Sequence, residues 1–223
     1  VAITHSQVTL EDSVLELGSK VLGNTANAVL QLRNELQREP IDKAIDLVLA
    51  AKRVEIFAVG NYASVAQDAQ MKFLRLGISC GVNTDPHLQA LVSKLVNPDT
   101  ATLFISSGGN LPELVALQNS VSELGAPVIA ITANQSLLAK KADAALVAEH
   151  NELAATHLPM ISRVLHLLLI DILVVGIEMR LAESSRNTPN KLLSIAENDQ
   201  FRTTPTQGVR TSSPLRPSIS HSQ

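Results

Sequence analysis

Residues 103–117 read LFISSGGNLPELVAL. The apolar run Leu103, Phe104, Ile105 stops at Ser106, Ser107, Gly108 and Gly109, and helical spacing begins at once from Pro112. A buried strand that passes into a helix through such small residues leaves room beside the helix start. Backbone N–H groups there lack partners and carry partial positive charge, so the arrangement suits an anion such as a phosphate. The same residues also fit a plain helix start, with Asn110 and Glu113 as a box-like cap and Pro112 in the first turn. Both readings stand at this level.

The pattern repeats on either side. Short apolar runs predict strands at Val54–Val59, Ile78–Val82, Ala101–Ile105, Val128–Thr132 and Ala145–Val147. Helical spacing lies between them at Ala63–Leu76, Pro86–Val96, Pro112–Leu124 and Gln135–Lys141. Such alternation predicts an α/β fold, a doubly wound five-stranded parallel sheet whose right-handed crossovers cover both faces. In the flavodoxin-like order 2-1-3-4-5 the strand order reverses between the first and third strands, where ligands of open parallel sheets sit. The loops leaving those strands are GNYAS, with Gly60, Asn61, Tyr62 and Ser64, and SSGGN, with Ser106, Ser107, Gly108, Gly109 and Asn110. These residues are the candidate ligand contacts.

Two helices precede the sheet, at Ser13–Leu36 and Pro40–Ala51, and a long one follows at Pro159–Leu181. The long helix is apolar on nearly every side, so it belongs in a core or against a second subunit, and a homodimer or higher homo-oligomer is expected. Ser162, Arg163 and His166 stand near its positive end at i, i+1 and i+4. They are candidate ligand contacts or, alternatively, dimer contacts. Its most apolar stretch, Val164–Ile177, is shorter than the ~20 residues of a membrane span and holds His166 and Asp171.

Composition excludes several classes. The 223 residues carry a net charge of −3 with no basic block, against DNA contact by these residues themselves. Aromatics make up 2% of the chain, so the core is aliphatic. The single Cys80 forbids an internal disulfide and any Cys-based zinc site, and reads as a small hydrophobe at a strand end. Neither GxGxxG nor GxxxxGK[ST] occurs, so neither a dinucleotide nor a P-loop is expected. His150 and Glu152 lack the PCxxC partner of a zinc deaminase. Asp85, before Pro86, reads as a turn residue in preference to a ribose-binding acid. No cofactor, metal or membrane partner is expected.

At this point the chain resembles the sugar isomerase (SIS) domain, in the version found in RpiR/HexR-family transcriptional regulators. The carrying segments are EDSVLELGSKVL, AKRVEIFAVGNYASVAQDAQMKFLRLG, LFISSGGNLPEL, APVIAIT and HLPMISRVLHLLLIDILVVG. The resemblance implies a cytoplasmic, non-catalytic domain that senses a phosphorylated sugar or sugar acid and dimerises. DNA would be reached only through a helix-turn-helix domain absent from this chain. The expected division is 1–52, linker and helices packing on the domain; 53–182, the effector-binding domain; and 183–223, where Ser, Thr, Pro and Asn dominate and the apolar period is lost, a disordered tail. The family pattern S-x-[ST]-G-x-[ST] is met by Ser106 and Gly109 but not by Gly108 and Leu111, and Tyr62 stands where a hydroxyl residue is usual. Each lost charge-assisted hydrogen bond weakens phosphate binding by ~1.5–3 kcal/mol. Two other readings remain: an aldose–ketose sugar-phosphate isomerase, with Glu149, Glu152 or His157 as base, and a structural dimerisation module with a decayed pocket.

Overall fold

The computed structural model describes Thr9, residues 11–148 and residues 160–187, leaving aside the side chains of 160 and 185–187. Helix α1 (Val14–Glu35) starts at a capping box: the Ser13 hydroxyl accepts from the Glu16 N–H, and the Glu16 carboxylate accepts from the Ser13 N–H. Helix α2 (Arg38–Ala50) leads into β1 (Arg53–Ala58). A single 3₁₀ turn at Gly60–Tyr62 precedes α3 (Ala63–Arg75). Then follow β2 (Cys80–Asn83), α4 (Pro86–Val92), β3 (Thr100–Ser106), α5 (Pro112–Glu123), β4 (Val128–Thr132), α6 (Leu137–Lys141), β5 (Ala144–Val147) and α7 (Met160–Asn187).

Among the described residues the strands form one parallel sheet in the order β2-β1-β3-β4-β5, the order expected. Side chains alternate across it. On one face Val54, Ile56, Leu103, Ile105, Ile129 and Ile131 pack under α2, α3 and α7. On the other, Phe57 and Phe104 stack with ring centroids 4.8 Å apart beneath α4, α5 and α6, joined by Leu114 and Leu138.

Element boundaries differ from the sequence expectation where a local hydrogen bond intervenes. The Ile78 N–H closes the end of α3 by donating to the Phe73 carbonyl, so β2 begins only at Cys80. Ser136 caps α6 through the Ala139 N–H, which moves that helix start from Gln135 to Leu137. Helix α4 stops at Val92 instead of Val96, and α7 continues to Asn187, past the boundary expected at 182.

The long helix is a core element. It buries Leu165, Leu169, Ile170, Leu173 and Ile177, while Val175 and Met179 stay exposed. At Gly176 the helix approaches α2 so closely that a Cβ would overlap the Ile45 side chain. Ion pairs flank the contact: Arg180 reaches Asp42 at 3.0 Å and Asp46 at 3.3 Å, and Lys72 of α3 bridges Asp68 at 2.6 Å and Asp171. The burial carries most of the energy, because partly exposed pairs contribute little.

Phe104 is fully buried in the stacked pair. Phe104→Ala is expected to cost about 3–5 kcal/mol in urea unfolding; a loss below about 1 kcal/mol would show that the stack is not a packed core.

Candidate functional site

Because β1 and β3 are adjacent and parallel, with Ala58 opposite Ile105, the loops that leave them emerge side by side. They enclose a pocket of about 380 Å³. Its walls are Asn61 and Tyr62 from the first loop and Ser106, Ser107, Gly108, Gly109 and Asn110 from the second, joined by Val59 and Leu111. Seven of the nine loop residues singled out in the sequence thus meet at one cavity (nine less Gly60 and Ser64). Gly60 and Ser64 do not line it: the Ser64 hydroxyl donates to the Asn61 carbonyl at 3.0 Å and shapes the turn from outside. The apolar Val59 escaped a reading that looked for polar atoms, and Leu111, noted there only as a departure from the family pattern, joins it on the wall.

The second loop is held from beneath. Ser106 is buried, and its hydroxyl accepts from the Gly109 N–H at 3.2 Å. Gly109 has φ +61°, and a Cβ there would overlap the Thr132 hydroxyl and the Ser136 side chain. Its carbonyl accepts from the Leu138 N–H at 3.0 Å, and the Ser107 carbonyl accepts from the Ala133 N–H at 2.9 Å. The loop is therefore fastened to the turn between β4 and α6, a partner far away in sequence.

This fastening decides against the box-like cap at the helix start. The box of Asn110 and Glu113 does not form. Asn110 instead accepts from the Leu137 N–H at 2.9 Å, 27 residues away, at the start of α6. The N-cap of α5 is Leu111, which gives no side-chain hydrogen bond, and Glu113 is exposed and does not line the pocket. The first-turn amides of α5 are thus left without a side-chain cap. No Lys or Arg lines the pocket, so an anion there would be held by main-chain N–H groups and hydroxyls.

On α7 the three residues at i, i+1 and i+4 do not share one environment. Ser162 and His166 are buried, whereas Arg163, turned about a quarter of the way around the helix from Ser162, is exposed. The His166 ring lies 5.0 Å from the Tyr62 ring, tilted by 38°. Neither of its nitrogens has a hydrogen-bond partner among the described residues, and burial pushes its pKa from 6.5 down to about 4.

Other candidates separate clearly. Asp85 accepts from the His87 and Leu88 N–H groups at 3.0 Å each and so caps α4, as a turn residue does. Cys80 is partly buried, and its thiol is pushed up to about 12 by burial, then by the nearby Glu55 carboxylate. Among the described residues no group of His, Cys, Asp or Glu could hold a metal ion, and no helix is long and apolar enough to cross a membrane. Glu149, His150, Glu152 and His157 lie outside the described residues. A larger hollow of about 550 Å³ beside β5 has Glu35 on its wall and no cation, which disfavours an anion.

The family described as SIS domain matches residues 47–176, more than half of the 223 residues. The chain belongs to the SIS domain family. It is 43% identical over 185 residues to the bifunctional protein glk of Paraburkholderia xenovorans, covering 83% of this chain and 29% of that protein. It is 31% identical over 179 residues to the HTH-type transcriptional regulator HexR of Pseudomonas aeruginosa, covering 80% of this chain and 63% of that regulator. The chain therefore spans a little under a third of the bifunctional relative's length. The fold is similar to the sugar isomerase domain of the RpiR transcription factor from Sphaerobacter thermophilus, with TM-score 0.68, 24% identity, and coverage of 77% of this chain and 94% of that one. It is also similar to the Vibrio vulnificus NanR protein complexed with ManNAc-6P, with TM-score 0.70, 20% identity, and coverage of 79% and 66%.

The buried His166 gives the SIS domain a pH dependence of defined sign. Folding holds the imidazole neutral down to about pH 4, whereas the unfolded chain takes up the proton near 6.5. The stability of the native state is complete above pH 6.5 and falls as the pH drops from there toward 4, by about 3 kcal/mol from this group. Urea unfolding of the parent and His166→Phe across that range should show the steeper fall in the parent, since the lowered Asp12, Glu16 and Asp42 carboxylates act alike in both; equal slopes would contradict a neutral buried imidazole.

Proposed function

We propose that this SIS domain binds a phosphorylated sugar or sugar acid between the loops Gly60–Ser64 and Ser106–Asn110, and that it does so as a non-catalytic sensing module of a transcriptional regulator. The observation that carries the reading is the start of α5. It has no side-chain cap for its amides, Asn110 being committed to α6, and it follows directly on Asn110 and Leu111, which line the pocket together with Ser106. A phosphate satisfies such amides and is favoured by the helix dipole. Similarity to HexR, and to the NanR protein whose structure holds ManNAc-6P, supports the choice of ligand class and of a regulatory role.

The reading assigns residues 53–182 as the effector-binding unit and residues 1–52 as a linker and helices packing on it. DNA contact belongs to a helix-turn-helix segment outside these 223 residues, and the setting is the cytoplasm. Self-association as a homodimer or higher homo-oligomer is supported by apolar side chains left exposed on α1 (Val14, Leu15, Leu22) and on α7 (Val175, Met179). Gly108 and Leu111, which stand where the family pattern has hydroxyl residues, place more of the binding on the main chain and on Ser106, Ser107 and Asn110.

A thermal-shift panel of sugar phosphates and phosphorylated sugar acids tests this directly. A ligand at about 100 times its Kd should stabilise the parent by about 2.7 kcal/mol, and Ser106→Ala should lose most of that gain. No member of the panel stabilising the parent would contradict the assignment, and interconversion of aldose and ketose phosphates would make the domain an enzyme.

A further inference from the structure

His166 poses a problem that packing alone does not answer. Each imidazole nitrogen is a donor or an acceptor, and both are buried without a partner among the described residues. Native interiors seldom leave such groups unpaired, and an apolar ring would fill the same space without the cost. One side chain connects this residue to the ligand pocket. Tyr62 lines the pocket, and its ring lies 5.0 Å from that of His166.

Tyr62 is mounted on a part of the fold that can give. It ends the 3₁₀ turn Gly60–Tyr62, whose hydrogen bond from the Tyr62 N–H to the Val59 carbonyl is long at 3.3 Å. His166, by contrast, sits on a well-packed helix between Leu165 and Leu169. Of the pair, the tyrosine is the member able to move.

We propose that His166 is a concealed contact of the pocket: the Tyr62 ring swings aside on its short turn, and a hydroxyl of the sugar part of the ligand pairs with the imidazole. This rests on the sugar-phosphate reading above and adds to it which residue recognises the sugar. The chemistry is matched. A neutral imidazole offers one donor and one acceptor, which suits a hydroxyl, while the phosphate stays at the uncapped start of α5. Burial keeps the ring neutral, so it does not compete with the loop amides for the phosphate. Tyr62 then acts as a filter on what reaches the inner end of the site, since a bare phosphate gives it no reason to move.

Calorimetric titration of the full chain with inorganic phosphate, hexose 6-phosphates and 6-phosphogluconate tests the idea. The parent should bind at least one of the sugar derivatives more tightly than phosphate. His166→Phe should lower that affinity about tenfold more than it lowers the affinity for phosphate, and His166→Gln, which keeps a donor and an acceptor, should restore part of it. Should His166→Phe fail to fold, Tyr62→Ala decides: carbethoxylation of His166, read by mass spectrometry, should be about tenfold faster than in the ligand-free parent, an effect of this size being set by the opening equilibrium of the cover. A preference for the sugar derivative that His166→Phe leaves intact, or a His166 equally unreactive in Tyr62→Ala, overturns the concealed contact and leaves the sensing role standing. A parent that binds neither phosphate nor any sugar derivative removes the sensing role and this contact with it.

Discussion

A side chain at position 109 has nowhere to go. The Gly109 backbone, at φ +61°, lies against the Thr132 hydroxyl and the Ser136 side chain, and that close approach lets its carbonyl reach the Leu138 N–H and Asn110 reach the Leu137 N–H. Everything at the site follows from it. With Asn110 drawn to α6, the start of α5 is left without a side-chain cap; with Ser106 buried and bonded to the Gly109 N–H, the loop keeps its curvature; and the pocket opens between this loop and its neighbour from β1. The fold supplies the neighbour, since the parallel pairing of β1 with β3 is what puts the two loops at one edge.

The two faces of the sheet divide the labour. The face under α4, α5 and α6 holds the stacked Phe57 and Phe104 and supports the second loop through Leu114 and Leu138. The face under α2, α3 and α7 is aliphatic and carries Tyr62, which lines the pocket, with the His166 ring 5.0 Å from it. A ligand that moved the first loop would press on α7 through these two rings, and α7 is in turn tied to α2 by the Gly176–Ile45 contact and by Arg180 with Asp42 and Asp46. The site and the helices outside the sheet are therefore linked through packed side chains.

Strands, their order and the loops at the point of reversal were legible in the chain because they rest on local periodicity and on the handedness of crossovers. The run from Leu103 to Ile105 and its break at Ser106 suffice to place a strand, a loop and a helix start. What local pattern could not supply were contacts across long separations. Asn110 and Glu113 have the spacing of a cap, yet the nearer claim on Asn110 is an amide at Leu137. Ser162, Arg163 and His166 have the spacing of a cluster, yet the sheet buries two of them and leaves Arg163 in solvent. Val59 lines the site with no polar side-chain atom to draw notice.

The central claim is that main-chain amides after β3 are the anion site. It is most directly tested by following backbone ¹H–¹⁵N resonances while inorganic phosphate is added. The account predicts that the amides from Ser107 to Leu114, Pro112 excepted, shift together and saturate, with smaller changes at Asn61 and Tyr62. Shifts confined to the hollow beside β5, or none at residues 107–114, would contradict it.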